Sequence, residues 1–516
     1  MASQTQSVWN TVRINLAEIS NQRYSDASIL STNSGLIGVG LIGVMIVGLT
    51  TTVTKDVRLI NCFPTKVQNP FINPYTDNTA SVKKYISKRP GFAVQSTPDT
   101  TAGSAIKIWL GQGSGSKVIS AFGTANSTIY DGTNSLGTIT GLAKDITETF
   151  IGTVANLVIP SSNNTAWYYP DGGALTQIVD VDYPGNASLT PTGTFVHLDG
   201  YAFIMTTDGR IWNSDLGSIT SWVSTSFITA QLSPDRGVGL ATYKNKIVAF
   251  GKESIEFFEN VGNPLGSPLQ RIPEVFIKLG SPSQSLITSI EDTLVFVASS
   301  STGSYSIYLL ENYQPKKISF PEIDAVISQI GISNFTASSV RLWGKPIFIL
   351  SSTTRTFVYS LEDQMWCEWN SSAPLWYKLT GDTQEHIYSI SNSTLAGVVG
   401  KVFVVNQQNP VYQDVGSNYV MSIQTSKLDF GTNKRKRLHR LRIVGDQSSM
   451  ANTMSVTWSD DDYQTYSSSR TIDLTINDQR TNNMGIFRRR NFLLSNSSST
   501  STRLEAIEVD ISMLNS

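Results

Sequence analysis

Four consecutive segments of this chain repeat one layout, and this repeat limits the possible folds more than any other feature. Each segment has an apolar strand, a two-residue polar turn, a second apolar strand, a short turn and a strand with an aliphatic–aromatic anchor. The four polar turns are Asp199-Gly200, Lys244-Asn245, Glu291-Asp292 and Gly344-Lys345. Their spacing of roughly 45 to 53 residues is the period of a four-stranded propeller blade. An array of β-sandwiches could share the turn residues, but the repeated strand order favours a β-propeller.

Weaker copies extend the repeat on both sides, around Ile129-Tyr130, around Tyr168-Tyr169 and after His386. The sequence therefore predicts an all-β protein, with a six- or seven-bladed β-propeller and a β-sandwich-like platform domain built from both chain ends. The predicted parts are an N-terminal extension (1–54), the N-terminal part of the platform (55–99), the propeller (100–411) and the C-terminal β platform (412–516).

Composition supports this fold class and excludes some classes of function. Charged residues make up only 15% of the chain, and the Ser, Thr, Asn and Gly that replace them are typical of short strands joined by turns. A net charge of −1 excludes a general affinity for nucleic acid, so any contact with DNA or membrane would be local. Cys62 and Cys367 form no redox or ligand motif, which indicates folding in a reducing compartment.

No catalytic or metal-binding pattern is found in the sequence. The three histidines, His197, His386 and His439, lie in unrelated contexts and are not spaced to share a metal ion. The chain has no nucleophile elbow, no P-loop and no glycine-rich motif after a strand. We therefore expect a protein without enzymatic activity, cofactor or metal.

One hairpin motif is similar to the Asp box, S-x-D-x-G-x-T-W, of sialidase propellers and other β-folds. Ser459, Asp461 and Thr465 match it, while Tyr463 replaces the glycine and Tyr466 the tryptophan. The motif is structural even where it is complete, so it predicts a hairpin. A sialidase would need several copies and an arginine triad, and one copy is found.

Two basic segments of the C-terminal part are candidate interfaces. They contain Lys434, Arg435, Lys436, Arg437, Arg440, Arg442, Arg488, Arg489 and Arg490. Such a cluster could hold phosphates or meet acidic patches of a neighbouring subunit, and the balanced total charge favours the neighbour. Alternation in the second half of the first segment places Arg440 and Arg442 on one face of a strand.

An apolar, glycine-rich arm lies near the N-terminus, in a stretch without charge from Ala27 to Thr54. Its large apolar residues are Leu36, Ile37, Leu41, Ile42, Met45, Ile46 and Leu49. It is short for a membrane-spanning helix, lacks the basic lead-in of a signal peptide, and its glycines weaken a helix. We expect an arm or strand that packs on another subunit, with membrane contact or ordinary core as alternatives.

The order of motifs resembles that of the packaged-DNA stabilisation proteins of short-tailed bacteriophages, also called tail hub, nozzle or tail accessory factors. The resemblance rests on RLINCFP and RPGF, on IVAFGKESIEFFENVG, and on LDFGTNKRKRLHRLRIVG with the hairpin that follows. It covers roughly residues 55–511, and the apolar arm has no counterpart in it.

The resemblance implies a virion structural protein of the tail, assembled in the host bacterial cytoplasm. It implies a homohexameric ring below the portal and the adaptor (the head-to-tail connector ring), which closes the DNA-filled head and forms the DNA exit channel. The implied partners are the adaptor, a tail needle or plug, tail fibres or spikes, and double-stranded DNA passing without sequence specificity. The alternatives are a glycan-binding or sialidase-like receptor-recognition propeller, and an envelope protein held by the apolar arm.

Overall fold

The computed structural model describes residues 10–15, 58–68, 82–113, 115–151, 154–299, 304–381 and 386–514. The predicted apolar arm lies outside these residues. The chain divides into a propeller unit, Phe92–Thr356 with Ser371–Asn409, and a platform unit formed by the described parts of Met1–Gly91, Phe357–Asn370 and Pro410–Ser516. Both units are built almost entirely of strands, which confirms the all-β prediction.

The strands are numbered in chain order. The first platform strands are β1 (Asn10–Asn15), β2 (Arg58–Ile60), β3 (Cys62–Gln68) and β4 (Val82–Lys88). The next are β5 (Ala93–Ser96), β6 (Gly103–Trp109), β7 (Lys117–Gly123), β8 (Ser127–Asp131), β9 (Asn134–Ile139), β10 (Thr147–Ile151), β11 (Val154–Pro160), β12 (Ala166–Pro170), β13 (Thr176–Gln177), β14 (Pro191–Leu198), β15 (Tyr201–Thr206), β16 (Arg210–Ser214) and β17 (Trp222–Thr229). They are followed by β18 (Gly237–Tyr243), β19 (Lys246–Gly251), β20 (Ile255–Asn260), β21 (Leu269–Ile277), β22 (Ile287–Ile290), β23 (Thr293–Ser299), β24 (Tyr305–Glu311), β25 (Gln314–Lys317), β26 (Thr336–Leu342) and β27 (Lys345–Ser351).

The remaining strands alternate between the units before the chain ends in the platform. They are β28 (Thr356–Ser360), β29 (Met365–Trp369), β30 (Lys378–Gly381), β31 (His386–Ile390), β32 (Val402–Asn406), β33 (Gln413–Asp414), β34 (Ser417–Asn418), β35 (Met421–Gln424), β36 (Lys436–Gly445), β37 (Thr453–Ser459), β38 (Arg470–Asp473), β39 (Arg480–Asn482), β40 (Ile486–Phe487), β41 (Asn491–Asn496) and β42 (Arg503–Met513). The described helices are α1 (Pro321–Ile330) and two short 3₁₀ turns, Gln284–Leu286 and Ile332–Asn334.

The propeller unit is a closed ring with seven innermost strands. These are β6, β10, β14, β18, β22, β26 and β30, and residues on or beside each of them line one central channel. Strand β30 contacts both β26 and β6, so the last innermost strand meets the first. Six four-stranded sheets lie within this unit, and the hairpin β26–β27 supplies the seventh innermost strand. The count agrees with the predicted six or seven blades.

The last blade is completed by a strand from the other end of the unit. Its order is β30-β31-β32-β5, and β5 pairs antiparallel with β32, with Val404 opposite Ala93. Because β5 belongs to this blade, the propeller unit begins at Phe92, earlier than the predicted residue 100. Backbone hydrogen bonds therefore join the first and last strands of the propeller.

The polar turns of the repeat form two-residue hairpins. Lys244 and Asn245 both have positive φ, 47° and 58°, as a type I′ turn requires. The fourth turn was predicted one residue too late, because Leu342 pairs with Lys345 and the turn is Trp343-Gly344. Trp343 has a φ of 50°, and its backbone N–H donates to Gln407 Oε1 at 2.6 Å. A large aromatic residue rarely adopts this conformation, so the position of this turn could not be predicted from local sequence.

The platform unit joins the two ends of the chain in one sheet. Its order is β3-β4-β42-β36-β39, with β1 also on β42 and β40 also on β36. A second group of platform strands follows the order β29-β2-β35-β41-β37-β38. Cys62 and Cys367 are both free and buried here, and burial raises the pKa of Cys367 to about 12. Thiols with so high a pKa stay protonated and unreactive at neutral pH.

A buried ion pair lies in the core of the platform. The side chains of Arg89 and Asp414 are 0% and 3% exposed, and the guanidinium donates to both carboxylate oxygens, with Nη1 3.0 Å from Oδ1. Its other donors reach Asn61 Oδ1, Pro90 O and Asn370 O at 2.8 to 3.0 Å. All five N–H bonds of the guanidinium therefore have acceptors.

Candidate functional site

The two basic segments lie side by side in the platform unit. Strand β40 pairs with the start of β36, which places Phe487 opposite Lys436 and Ile486 opposite Arg437. Residues 434–437 and 486–489, which are separated by about fifty positions in the sequence, are therefore neighbours in the sheet. The structure thus brings together the two segments that the sequence analysis singled out.

Five cations of these segments are exposed, and we call them the basic patch: Lys434, Arg435, Arg437, Arg488 and Arg489. Within the described part of the chain, none of the five has an ion pair, and Arg488 donates to the backbone oxygen of Asn433 at 2.8 Å. Burial lowers the pKa of the neighbouring Lys436, and the charge of Arg488 adds to this effect, while the carboxylate of Asp429 opposes it. The patch therefore carries a clear excess of positive charge.

Two predicted interface residues are buried and do not belong to the basic patch. Lys436 is 0% exposed, and its ammonium group donates to the backbone oxygens of Thr432 and Lys434. Arg490 is 2% exposed and makes a bidentate ion pair with Asp460, with both N–O distances 2.7 Å. Both side chains hold the local fold, because a buried cation is retained only where it is paired or hydrogen-bonded.

Arg440 and Arg442 lie further along β36, beside acidic partners. Arg440 pairs with Asp510 at 2.6 Å, and Arg442 lies opposite Glu508 and 3.9 Å from Asp478. Asp510 compensates the charge of Arg440, whereas Arg442 shares the Asp478 carboxylate with Arg480, which lies 2.9 Å from it. The predicted cluster of nine residues therefore separates into an exposed patch, two buried cations and two arginines in ion pairs.

One exposed apolar residue accompanies the basic patch, and the sequence analysis missed it. Ile486 is 47% exposed and pairs with Arg437, so the two side chains lie on the same face of the sheet. Met513, which is 46% exposed, pairs instead with the buried Lys436 on the opposite face. Surfaces that combine arginines with exposed apolar side chains are typical of protein interfaces. The register of β36 with β40 and β42 creates this neighbourhood, so it was not visible in the order of residues.

The Asp-box-like hairpin connects β37 with β38. The Ser459 hydroxyl donates to Asp461 Oδ1 at 2.7 Å, and the backbone N–H of Thr465 donates to the same oxygen at 2.9 Å. Tyr463 has a φ of 65°, the conformation that favours the glycine of the motif. Tyr466 is 37% exposed, with its hydroxyl 3.4 Å from Asn491 Nδ2. The bonds around Asp461 hold the turn.

We expect Asp461→Ala to open this hairpin. Hydrogen bonds from Thr465 and Ser459 lower the pKa of Asp461 from 3.8 to about 2. The ionised carboxylate therefore stabilises the hairpin fully above pH 4, and this stabilisation is lost as the pH falls towards 2. Hydrogen exchange measured by mass spectrometry, expressed as protection relative to the intrinsic exchange rate at each pH, should show lower protection over 459–467 in the variant at neutral pH, and in the wild type as the pH approaches 2. Asp478→Ala, in a separate exposed loop, should leave this segment protected; equal protection of the hairpin in Asp461→Ala would contradict the assignment.

The central channel of the propeller unit is a second polar site, which the sequence did not reveal. It has a volume of about 830 Å³ and is lined by residues from all seven blades. Its charged lining residues are Lys107, Lys144, Lys378 and Asp145, and most of the others are serine, threonine or aliphatic residues. Among the described residues, no group of three or more His, Cys, Asp or Glu side chains could hold a metal ion.

The propeller sequence matches a family model described as the Gp10 β-propeller of bacteriophage P22, over residues 126–393. This match covers more than half of the chain. The chain belongs to this phage stabilisation family. The predicted family resemblance is thereby confirmed, and it agrees with the observed propeller fold.

A curated relative from the same family shares sequence with part of the chain. The tail hub protein gp10 of Salmonella phage P22 is 26% identical over 100 residues, which cover 19% of this chain and 21% of that protein. The matched region thus spans about a fifth of the length of this relative. The family model extends well beyond this region.

Solved structures with a similar strand arrangement are much more distant. Raptor from Chaetomium thermophilum is 14% identical with a TM-score of 0.41, covering 62% of this chain and 29% of that one. BamB from Moraxella catarrhalis is 13% identical with a TM-score of 0.38, covering 66% of this chain and 97% of that one. In the part of this family member that the structure describes, no helix is long and apolar enough to cross a membrane.

Proposed function

We propose that this protein is the tail hub, or nozzle, of a short-tailed phage. The observation that carries the proposal is the family match over the propeller, together with the similarity to a protein named tail hub. In this role the chain forms a ring, a homohexamer, below the portal and adaptor rings. The ring closes the DNA-filled head and surrounds the channel through which DNA leaves. The role is structural and requires no catalysis.

The charge of the chain suits such a conduit. With 39 basic and 40 acidic residues, it has almost no net charge that would hold the phosphates of passing DNA. A strongly cationic wall would bind DNA tightly and in a salt-dependent way. DNA therefore passes without sequence specificity, while the tail needle or plug and the fibres or spikes attach to other surfaces.

The basic patch is the proposed seat on the adaptor ring. Its five cations have no acidic partners within the described chain, and Ile486, which pairs with Arg437, adds apolar area beside them. A partner that supplies carboxylates would compensate these charges and cover this apolar side chain. This arrangement favours a protein as the partner over naked phosphate, because phosphate contacts alone do not use the apolar residue.

We expect the double variant Arg435→Glu, Arg437→Glu to fold normally and to fail in docking to the adaptor ring. Both side chains are exposed and unpaired, so the reversal should leave stability nearly unchanged while creating repulsion at the interface. The measurement is mass photometry and negative-stain microscopy of the protein mixed with adaptor rings, followed by counting tailed particles after infection. A loss of at least about tenfold in docked complexes is expected.

The control is Lys252→Glu, Lys278→Glu, which reverses two exposed cations of the propeller unit. This variant should dock like the wild type. Normal tails from the platform variant would refute the assignment of the basic patch. A wild-type protein that stays monomeric both alone and with its adaptor would refute the ring itself.

A further inference from the structure

Two lysine side chains in the lining of the central channel bridge different blades where the innermost strands begin, and we call this end of the channel its entrance. The Lys378 ammonium group, at the start of β30, donates to the backbone oxygen of Lys144 at 2.6 Å. The Lys144 ammonium group, just before β10, donates to the backbone oxygen of Pro191 at 3.1 Å, at the start of β14. These two bonds connect three innermost strands, β30, β10 and β14, close to where each of them begins.

These ammonium groups have unused hydrogen-bonding capacity. Each has three donors, and each uses one of them on a backbone oxygen. Among the described residues, neither ammonium group has a carboxylate at ion-pair distance. Burial lowers the pKa of Lys144, which shows that its charge is poorly solvated there. An anion at this entrance would supply the missing charge and acceptors.

The charges around the entrance do not cancel. Lys107 also lines the channel, and Asp145 is the single carboxylate among the lining residues. That carboxylate accepts a hydrogen bond from the Thr194 hydroxyl at 3.0 Å. Three ammonium groups against one carboxylate leave an excess of two positive charges. This excess matches the two negative charges of a phosphate group at neutral pH.

Hydroxyl groups complete the lining. Ser104, Thr194, Thr242, Ser289, Ser339 and Thr380 lie along the innermost strands of the ring. The hydroxyls of Ser104, Thr194 and Ser339 already donate to Ala121 O, Asp145 Oδ2 and Ser289 O. This leaves hydroxyls such as those of Thr242 and Thr380 to donate to phosphate oxygens. Lysine is a common phosphate ligand in proteins. The channel volume of about 830 Å³ is within the range of small-molecule sites.

From this geometry we infer that the entrance of the propeller channel, at Lys144 and Lys378, binds a phosphate group carried by a small molecule. The ammonium groups provide charge, and the lining hydroxyls that do not already donate to the protein provide additional donors. The site belongs to the propeller unit alone, so the inference does not depend on ring assembly or on adaptor docking.

The test is a titration of the purified full-length protein at constant ionic strength, by calorimetry and by phosphorus NMR line broadening. The probes are inorganic phosphate, a deoxynucleoside monophosphate and a short single-stranded oligodeoxynucleotide, with chloride as the reference anion. We expect binding of phosphate and of the nucleotide in the millimolar range or tighter. Lys144→Gln and Lys378→Gln should each weaken it about tenfold or more, because glutamine keeps an N–H donor but removes the charge.

Lys252→Gln, at an exposed turn of the same unit, should bind like the wild type. The inference is overturned if the wild type binds no phosphate in the millimolar range, since that measurement does not depend on any variant. It is also overturned if both glutamine variants bind as the wild type does. In that case the two lysines only connect the blades. Binding of the oligonucleotide alone would likewise contradict a small-molecule site.

Discussion

Replacing Asp414 with asparagine is expected to destabilise the platform unit by about 3–5 kcal/mol. The substitution keeps the shape of the side chain but leaves the Arg89 guanidinium buried without a counter-charge. Arg89 also lies 3.9 Å from the ring of Tyr419, which packs on the charge but does not neutralise it. The measurement is hydrogen exchange as a function of urea, followed on platform peptides that cover 82–91 and on propeller peptides that cover 237–251.

The matched control is Asp446→Asn, also in the platform. Asp446 pairs with Arg503, but the two side chains are 55% and 43% exposed, so this pair should contribute less than about 1 kcal/mol. The peptides of the propeller unit should keep their protection in both variants. If Asp414→Asn lowered the stability of the platform as little as the control does, water would have to reach the Arg89 site.

Gly280→Ala is expected to destabilise the propeller unit by about 1–3 kcal/mol or more. A Cβ at this position would lie 2.2 Å from Lys252 C, 2.3 Å from Glu253 N and 2.4 Å from Gly251 O. All three atoms belong to the backbone, so no side chain can move aside to make room. The strands around the β19–β20 turn would have to shift, and their amide exchange in urea should report it.

The control for this change is Gly115→Ala, where nothing lies within 4 Å of the added Cβ. It should leave stability almost unchanged, since neither glycine has the positive φ that disfavours alanine. Equal stability of the two alanine variants would mean that the chain around Gly280 has room to relax.

The fold could be predicted from the sequence because its signals are local. Polar two-residue turns such as Lys244-Asn245 recur at the blade period. The strands between them either alternate apolar with polar residues or consist almost entirely of apolar residues. Strand β5 gave no such signal, because AVQS is short and its two central residues are exposed. Its place in the last blade depends on closure of the ring, which is not a property of any segment.

The candidate sites could be predicted only in part, because they too depend on contacts between segments that are distant in the sequence. The basic segments were visible as runs of charge, but their burial was not. Arg490 is enclosed by Phe487 and Trp458, whose rings lie 4.4 and 5.1 Å from the guanidinium. The channel site was missed because Lys144 and Lys378 are 234 residues apart in the chain. Only the circular arrangement of blades brings them to one entrance.

The closure of the propeller by β5 has a mechanical consequence. Strands β5 and β32 are antiparallel, and Ala93, the first residue of β5, is opposite Val404, near the end of β32. The chain crosses between the two units at four points, and two of these crossings, before Phe92 and after Asn409, lie at the same end of this strand pair. Tension between these two crossings would break the hydrogen bonds of the pair one after another, as in unzipping, instead of loading them together. The pair would then separate at a lower force than if all its hydrogen bonds were loaded at once.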